Sequence, residues 1–188
     1  MISHKRNNNF IVITGGPGAG KTTLLRELQR KGYRTIPEIA RELIKDQKGN
    51  NGNALPWKNR ELFKDIMFVR SVKSYSEADE NVRDHTLTFF DRGFLDSICY
   101  STLIQSVINN DMVQYANKWR YNNKVFVLPP WQEIFTSDGE RRQDWEEAVL
   151  THKLMVETYH AYGYCTLEVP KAPVKDRCEF VINELLKV

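Results

Sequence analysis

The residues with the clearest chemical meaning form a glycine-rich segment near the start of the 188-residue chain. Residues 15–22 read GGPGAGKT, a Gly-x-x-x-x-Gly-Lys-Thr pattern, with the apolar run 10–14 before it and a helical pattern after it. This strand–loop–helix context is typical of a loop that cradles phosphates, because glycines let successive backbone N–H groups point at one anion. The predicted nucleotide-binding residues are Gly15, Gly16, Pro17, Gly18, Ala19, Gly20, Lys21, Thr22 and Thr23.

Two side chains of this loop and two residues farther along predict how a bound Mg²⁺-ATP would be held. Lys21 can reach the β- and γ-phosphates, and the Thr22 hydroxyl can bind Mg²⁺. The apolar run 87–90 is followed by Asp91 and Arg92. A carboxylate there can hold Mg²⁺ directly or through water, and an arginine offers a planar fork for phosphate oxygens. The alternative is an ordinary turn in which Asp91 caps the next helix.

Glu38 follows a second short strand, predicted over 33–36. A carboxylate in this place can accept a proton from an attacking hydroxyl, which is the role of a catalytic base. The alternative is an exposed ion pair between Glu38 and Arg41, three residues apart on a helix, which would contribute only a few tenths of a kcal/mol. Spacing alone leaves both interpretations open.

Further charged residues are candidates for contacts with the substrate or the transferred phosphate. Arg141 and Arg142 lie in a polar segment, 136–144, that we predict to be a lid closing over the nucleotide; the alternative is a solvated charged loop. Arg41, Arg70 and Asp96 are candidate substrate-binding residues. The ordinary explanation for Arg70 is a charged helix face, and that for Asp96 is an acid favoured by the helix dipole.

Composition and charge limit the class of protein. A length of 188 residues with 41% hydrophobic residues predicts one globular domain, residues 1–188. The net charge of +3 suits a protein that handles anions, and we do not expect nucleic acid as a partner. No apolar run approaches the roughly 20 residues that span a membrane. The polar N-terminus and the odd, scattered Cys99, Cys165 and Cys178 predict a cytoplasmic protein with reduced thiols in its core.

Strands and helices alternate along the chain, which predicts an α/β fold. The strands are expected over 10–14, 33–36, 87–90, 125–128 and 166–169. The helices are expected over 21–31, 39–47, 59–79, 95–108, a shorter span ending near 119, 142–162 and 174–187. Short apolar strands separated by helices indicate a five-stranded parallel sheet with helices on both faces, a three-layer arrangement. Ligands bind at the carboxyl edge of such sheets, where the candidate residues follow their strands.

Several motifs together resemble a known family. They are GGPGAGKTTL, PEIAREL, FFDRGFLD, PPWQEIF and DGERRQDWEEA, and they continue to the terminal GY…LEVP…VKDRCEFVINEL. The chain resembles the AAA-domain predicted ATPases, a group of P-loop kinase-like proteins similar to thymidylate, deoxynucleoside and nicotinamide-riboside kinases. The resemblance implies a P-loop NTPase fold with a lid. It also implies that Glu38, Asp91, Arg92 and Arg141 or Arg142 handle the acceptor hydroxyl and the phosphates.

Two function classes stay open from the sequence. One is an ATP-dependent kinase acting on a nucleoside, nucleotide or related hydroxyl compound. The other is a regulatory ATPase or nucleotide-gated binding module that switches a partner contact. A kinase requires a closed acceptor cavity beside Glu38, Asp91 and the 59–79 helix. A switch requires an exposed patch near the lid. The sequence names neither the acceptor nor the oligomeric state.

Overall fold

The computed structural model describes residues 2–81, 86–135 and 144–187. Within them the strands are β1 (Lys5–Arg6), β2 (Phe10–Gly15), β3 (Arg34–Ile36), β4 (Thr88–Asp91), β5 (Trp119–Arg120), β6 (Lys124–Leu128) and β7 (Cys165–Glu168). The α-helices are α1 (Lys21–Arg30), α2 (Ile39–Gly49), α3 (Arg60–Glu80), α4 (Leu95–Leu103), α5 (Asn110–Lys118), α6 (Trp145–Ala161) and α7 (Val174–Leu186). A 3₁₀ turn covers Gln132–Ile134.

A five-stranded parallel sheet forms the centre of the fold, in the order β3–β4–β2–β6–β7. β2 is the central strand and all six of its residues are buried, as expected for a strand covered on both faces. Ile13 of β2 lies opposite Asp91 of β4, and Gly15 lies opposite Leu128 of β6. The carboxyl ends of these strands therefore meet at one edge, and the predicted α/β architecture is confirmed.

Alternate side chains of the strands build two cores, one on each face of the sheet. On one face, Ile11 and Ile13 of β2 pack with residues of α1 and α7. On the other face, Phe10 and Val12 pack with residues of α3, α4, α5 and α6. α2 lies against α3 through a smaller apolar cluster. The helices thus cover both faces and leave the carboxyl edge to the loops.

Side chains of asparagine or aspartate cap three of the described helices, α3, α5 and α6. Asn59 caps α3 by accepting a hydrogen bond from the Leu62 N–H at 3.0 Å, and Asp144 caps α6 by accepting one from the Glu147 N–H at 2.8 Å. The predicted start of the latter helix at 142 and most of the predicted lid, including Arg141 and Arg142, lie outside the described residues. No helix in the described ranges is long and apolar enough to cross a membrane.

Three expectations were wrong. The helix predicted over 95–108 ends at Leu103, because Gln105 adopts a left-handed φ of 55° and the chain turns before α5. Val107, expected on the buried side of that helix, is 81% exposed beyond this turn. Cys165 was expected in the core but is exposed, because β7 is an edge strand.

The short pair of β1 and β5 was not predicted. Lys5 pairs with Trp119 and Arg6 with Arg120 in parallel register. The indole N–H of Trp119 also donates to the Ser3 carbonyl at 3.0 Å. Two residues per strand are too few to give a periodic pattern, so sequence alone gives no sign of this contact.

Candidate active site at the carboxyl edge of the sheet

The glycine-rich loop leaves β2 and enters α1 by a path that only glycines take easily. Gly15, Gly18 and Gly20 have φ angles of 144°, 69° and 82°. A Cβ atom on Gly15 would lie 2.6 Å from the Leu128 carbonyl oxygen, and one on Gly18 would lie 2.8 Å from the Phe135 ring. The loop is therefore a closely fitted backbone turn with the form of a phosphate cradle.

Lys21 and the start of α1 supply positive charge to this loop. Gly20 is the N-cap residue and has no side chain with which to cap the first-turn N–H groups. Lys21 is buried, and its ammonium donates hydrogen bonds to the carbonyls of Gly15 and Gly16, each at 2.9 Å. Thr22 and Thr23 are exposed at the same helix end. Uncapped N–H groups, a helix dipole and an ammonium group together attract an anion.

Asp91 and Arg92 lie beside the phosphate loop, as the sheet register requires. Asp91 is the buried last residue of β4, and the Arg92 N–H donates to the Ile13 carbonyl at 3.0 Å. Arg92 has a φ of 72°, an uncommon conformation for a residue with a side chain. Phe94 is the N-cap residue of α4. The alternative in which Asp91 caps that helix is therefore wrong.

Asp96 is the centre of a buried hydrogen-bond network. Its Oδ1 accepts from the Thr14 hydroxyl at 2.5 Å and from the Arg92 guanidinium at 3.1 Å. Its Oδ2 accepts from the Gly93 N–H at 2.9 Å and from the Tyr159 hydroxyl at 2.7 Å. One carboxylate thereby joins the end of β2, the turn after β4 and helix α6. These four hydrogen bonds account for a buried acid at this position more fully than a favourable interaction with the helix dipole does.

Glu38 forms the ion pair with Arg41 that one interpretation of the sequence predicted, but it is buried and also contacts Arg92. It pairs with Arg41 at 3.7 Å, and it also accepts a hydrogen bond from the Arg92 Nε at 2.8 Å. Its side chain is only 7% exposed. Burial lowers the pKa of Arg92, but the charges of Glu38, Asp96 and Asp91 outweigh burial and raise that pKa above its ordinary value. Arg92 therefore stays charged.

A cavity of about 730 Å³ opens beside this network. It reaches the phosphate loop at Pro17 and is lined by Glu38, Arg92 and Asp96, and by residues of α2, α3, α4 and α6. Its volume falls within the range of small-molecule sites, about 300–1,000 Å³. Asp91 lies against a separate, much smaller space with Arg92 and Gly93.

Arg41 and Arg70, two further candidates for substrate binding, do not line the cavity. Arg41 pairs with Glu38 outside the cavity lining, and Arg70 pairs with Asp46 on the exposed side of α3. In the described ranges, no group of three or more His, Cys, Asp or Glu side chains is placed to hold a metal ion.

Two residues of the Asp96 network, Thr14 and Tyr159, were not predicted from the sequence. Thr14 is a polar residue at the end of an apolar run, which is a signal in the sequence. Tyr159 lies at helical spacing among core residues and gives no such signal.

The comparison with known families agrees with this geometry. The family model described as an AAA domain matches residues 10–177, most of the chain. The chain belongs to the AAA domain family. No curated protein matches it in sequence.

Solved structures of low sequence identity share its fold. Deoxyadenosine kinase from M. mycoides with bound dATP matches with a TM-score of 0.64 and 21% identity, over 94% of this chain and 98% of that one. NadR protein in complex with NR matches with a TM-score of 0.70 and 19% identity, over 97% of this chain and 52% of that one. Shikimate kinase from Acinetobacter baumannii in complex with shikimate matches with a TM-score of 0.57 and 14% identity, over 94% and 92%. At these identities the likeness establishes the fold.

Proposed function

We propose that this protein is an ATP-dependent kinase that phosphorylates a small hydroxyl or phosphate acceptor such as a nucleoside or nucleotide. One observation carries the proposal: a cavity of acceptor size, about 730 Å³, adjoins the phosphate loop and is lined at that end by Glu38 and Arg92. A phosphate donor in the loop and an acceptor in the cavity would be neighbours. The kinases with the same fold support this assignment.

The donor site is assigned to residues 15–23. Lys21 would turn from the loop carbonyls to the β- and γ-phosphate oxygens, whose negative charge it neutralises. The oxygen donors near these phosphates, the Thr22 hydroxyl and the Asp91 carboxylate, are of the kind that Mg²⁺ prefers. Mg²⁺ typically binds one or two carboxylates together with substrate phosphates, so these residues fit it. When bound, the ion would offset charge on the transferred phosphoryl group.

The transfer assigns separate tasks to Glu38 and Arg92. The acceptor oxygen attacks the γ-phosphorus, the bond between this phosphorus and the bridging oxygen breaks, and ADP leaves with the electron pair of that bond. Glu38 accepts a hydrogen bond from the acceptor hydroxyl and takes its proton. Arg92, held between Glu38 and Asp96, presents a fixed positive charge to the transferred group. The main contribution of these residues is positioning and charge stabilisation.

The lid remains a proposal taken from the sequence. Residues 136–144 would close over the nucleotide, and Arg141 or Arg142 would contact the transferring phosphate. The described Asp144 caps α6, so the segment leads directly into a helix that lines the cavity through Glu147, Thr151 and Met155. A cytoplasmic location also stays part of the proposal, and the three cysteines are free thiols.

The alternative, a regulatory ATPase that switches a partner contact, does not require an acceptor cavity, and the cavity therefore favours the kinase. The two are separated by an acceptor screen that follows ADP release from Mg²⁺-ATP over nucleosides, nucleoside monophosphates and pyridine ribosides. A kinase releases ADP in proportion to one acceptor, which gains a phosphate detectable by mass. ADP release that no acceptor stimulates would favour the regulatory ATPase.

The role of Glu38 is tested with the acceptor from that screen. Glu38→Gln keeps the shape and removes the charge, and we expect a loss of about tenfold to hundredfold in kcat, since a positioned base contributes at least about 10²-fold in many enzymes and less in phosphoryl transfer. Glu42→Gln is the matched control, because Glu42 is exposed on the same helix and outside the cavity lining. Unchanged turnover in Glu38→Gln would make Glu38 merely structural.

A further inference from the structure

The cavity extends well beyond the reacting groups. Glu38 is the N-cap residue of α2 and Lys48 lies in its last turn, and both line the cavity. They are ten positions apart, and at 1.5 Å of rise per residue the helix carries the lining over about 15 Å. The cavity therefore has an inner end at Glu38, beside the phosphate loop, and an outer end at Lys48.

Helices α3 and α6 also line the cavity. Arg60, Phe63 and Met67 line the cavity at spacings of three and four residues, which puts them on one face of α3. On α6, the Met155 sulfur lies 3.8 Å from a terminal guanidinium nitrogen of Arg92 and is therefore at the inner end. The first turn of α6 lies beside the phosphate loop, because a Cβ atom on Gly16 would lie 2.9 Å from the Ala148 carbonyl oxygen, so Glu147 also belongs to the inner end.

The two ends differ in charge. At the inner end, the charges of Glu38, Asp96, Glu147 and Arg92 sum to −2. At the outer end, those of Lys48 and Arg60 sum to +2. An elongated acceptor lying along this gradient is favoured when its hydroxyl donates a hydrogen bond to Glu38 and a negative group lies between Lys48 and Arg60.

Aromatic side chains line the space between and around the cations. Trp57 is 52% exposed at the cavity wall, and the Lys48 ammonium lies 5.3 Å from its ring. Phe63 and Tyr100 meet edge to face with ring centroids 5.7 Å apart, and both line the cavity. An exposed tryptophan in a concave wall is a surface on which a flat ring can stack.

Of the two cations, Arg60 gives the stronger argument for a bound anion. It is the first residue of α3, where the helix dipole disfavours a positive charge, whereas Lys48 lies near a helix C-terminus, where the dipole favours one. The Arg60 Nε donates to the Pro56 carbonyl at 3.2 Å, which fixes the base of the guanidinium. Four further N–H donors belong to its terminal nitrogens and suit a carboxylate, sulfonate or phosphate.

We infer that the acceptor is a compound with an aromatic ring, a hydroxyl group and, at the end remote from this hydroxyl, an anionic group. Lys48 and Arg60 select it by the negative charge of that group. The inference rests on the proposed function, since it names the chemical class of that acceptor. The anionic group is a carboxylate, a sulfonate or a phosphate, because each of these offers oxygen acceptors to Lys48 and Arg60.

The experiment uses two fluorescent probes of one shape. Anilinonaphthalene sulfonate is an aromatic anion, and N-phenylnaphthylamine has the same ring skeleton without the sulfonate. Each is titrated against the full chain with saturating Mg²⁺-ADP, which keeps the probes out of the donor site. The variants are Arg60→Gln, Lys48→Gln and, as the matched control, Lys58→Gln, an exposed lysine of the same loop outside the cavity lining.

We expect Arg60→Gln to raise the Kd of the sulfonate about tenfold, equivalent to about 1.4 kcal/mol, and Lys48→Gln to raise it about threefold to tenfold. The Kd of the neutral amine should stay unchanged in all variants, and Lys58→Gln should bind both probes normally. Unchanged sulfonate binding in Arg60→Gln and Lys48→Gln overturns the inference, as does an equal loss for both probes or no sulfonate binding at all. Because these titrations involve no turnover, their outcome is separate from that of the kinase proposal, which the acceptor screen decides.

Discussion

Asp96→Asn removes the negative charge on which four hydrogen bonds converge, three of them fully buried. The carboxylate accepts from Thr14 and Arg92 through Oδ1, and from Gly93 and Tyr159 through Oδ2. An asparagine can accept through one atom only. If its oxygen faces Arg92, its amide hydrogens face the Gly93 N–H, which then has no acceptor. The Tyr159 hydroxyl can rotate and accept in its turn.

The size of the effect follows from these contacts. Breaking a buried charge pair by neutralising one partner costs about 3–5 kcal/mol, and an unsatisfied buried N–H costs about 1–3 kcal/mol. The two costs overlap, and Arg92 keeps Glu38 as a second partner. We therefore expect Asp96→Asn to lower the free energy of unfolding by about 3–5 kcal/mol. For a chain of this length each kcal/mol shifts Tm by about 2–4 °C, giving a drop of about 6–20 °C.

The assay is equilibrium urea unfolding followed by circular dichroism, with calorimetry for Tm. Tyr159→Phe deletes one hydrogen bond to the same carboxylate and should cost about 1.5–3 kcal/mol. Tyr162→Phe is the control, because its hydroxyl makes no hydrogen bond to a described residue, and it should stay within about 0.5 kcal/mol of the parent. Asp96→Asn within 1 kcal/mol of the parent would refute the reasoning that Asp96 is a charged centre holding three elements together.

Four further substitutions test the donor site and the lid. Lys21→Ala removes a charge next to the phosphates and should weaken ATP binding about tenfold to hundredfold by calorimetry; normal affinity and turnover would remove Lys21 from the site. Asp91→Asn should raise the Mg²⁺ concentration for half-maximal turnover about tenfold, since a metal-binding charge is lost, and an unchanged Mg²⁺ requirement would contradict that role. Arg141→Ala and Arg142→Ala, made separately, should include one variant that loses about 10³-fold in turnover with near-normal ATP affinity; normal turnover in both would leave the segment a solvated loop.

The sheet and the phosphate loop could be predicted because their causes are local. An apolar β-branched run, a glycine pattern and a helical spacing each lie within a few residues of one another, and the carboxyl-edge rule then brings Asp91 beside Ile13. The position of Glu38 after β3 followed in the same way. These features need only the order of residues along the chain.

The rest depends on contacts between distant segments. Asp96 and Tyr159 are 63 residues apart, and no spacing within either helix indicates that they meet. The early end of α4 reflects a turn at Gln105 whose neighbour Ser106 accepts a hydrogen bond from Lys64 of α3 at 2.8 Å. Arg60 and Trp57 look like surface residues in the sequence because the cavity that they line is closed by helices from elsewhere. Tertiary packing decides these roles.

The exposure of Cys165 offers one position at which a thiol reagent can modify the protein selectively. Cys99 and Cys178 are buried, and burial raises the pKa of both thiols, that of Cys99 to about 12. A thiol-directed reagent needs the thiolate and an open path, so it should react with Cys165 first. Cys165 begins β7, at the amino edge of the sheet and opposite the loops that we assign to the nucleotide. A dye or spin label attached there would report on the motions of the active-site edge without touching any residue assigned to it.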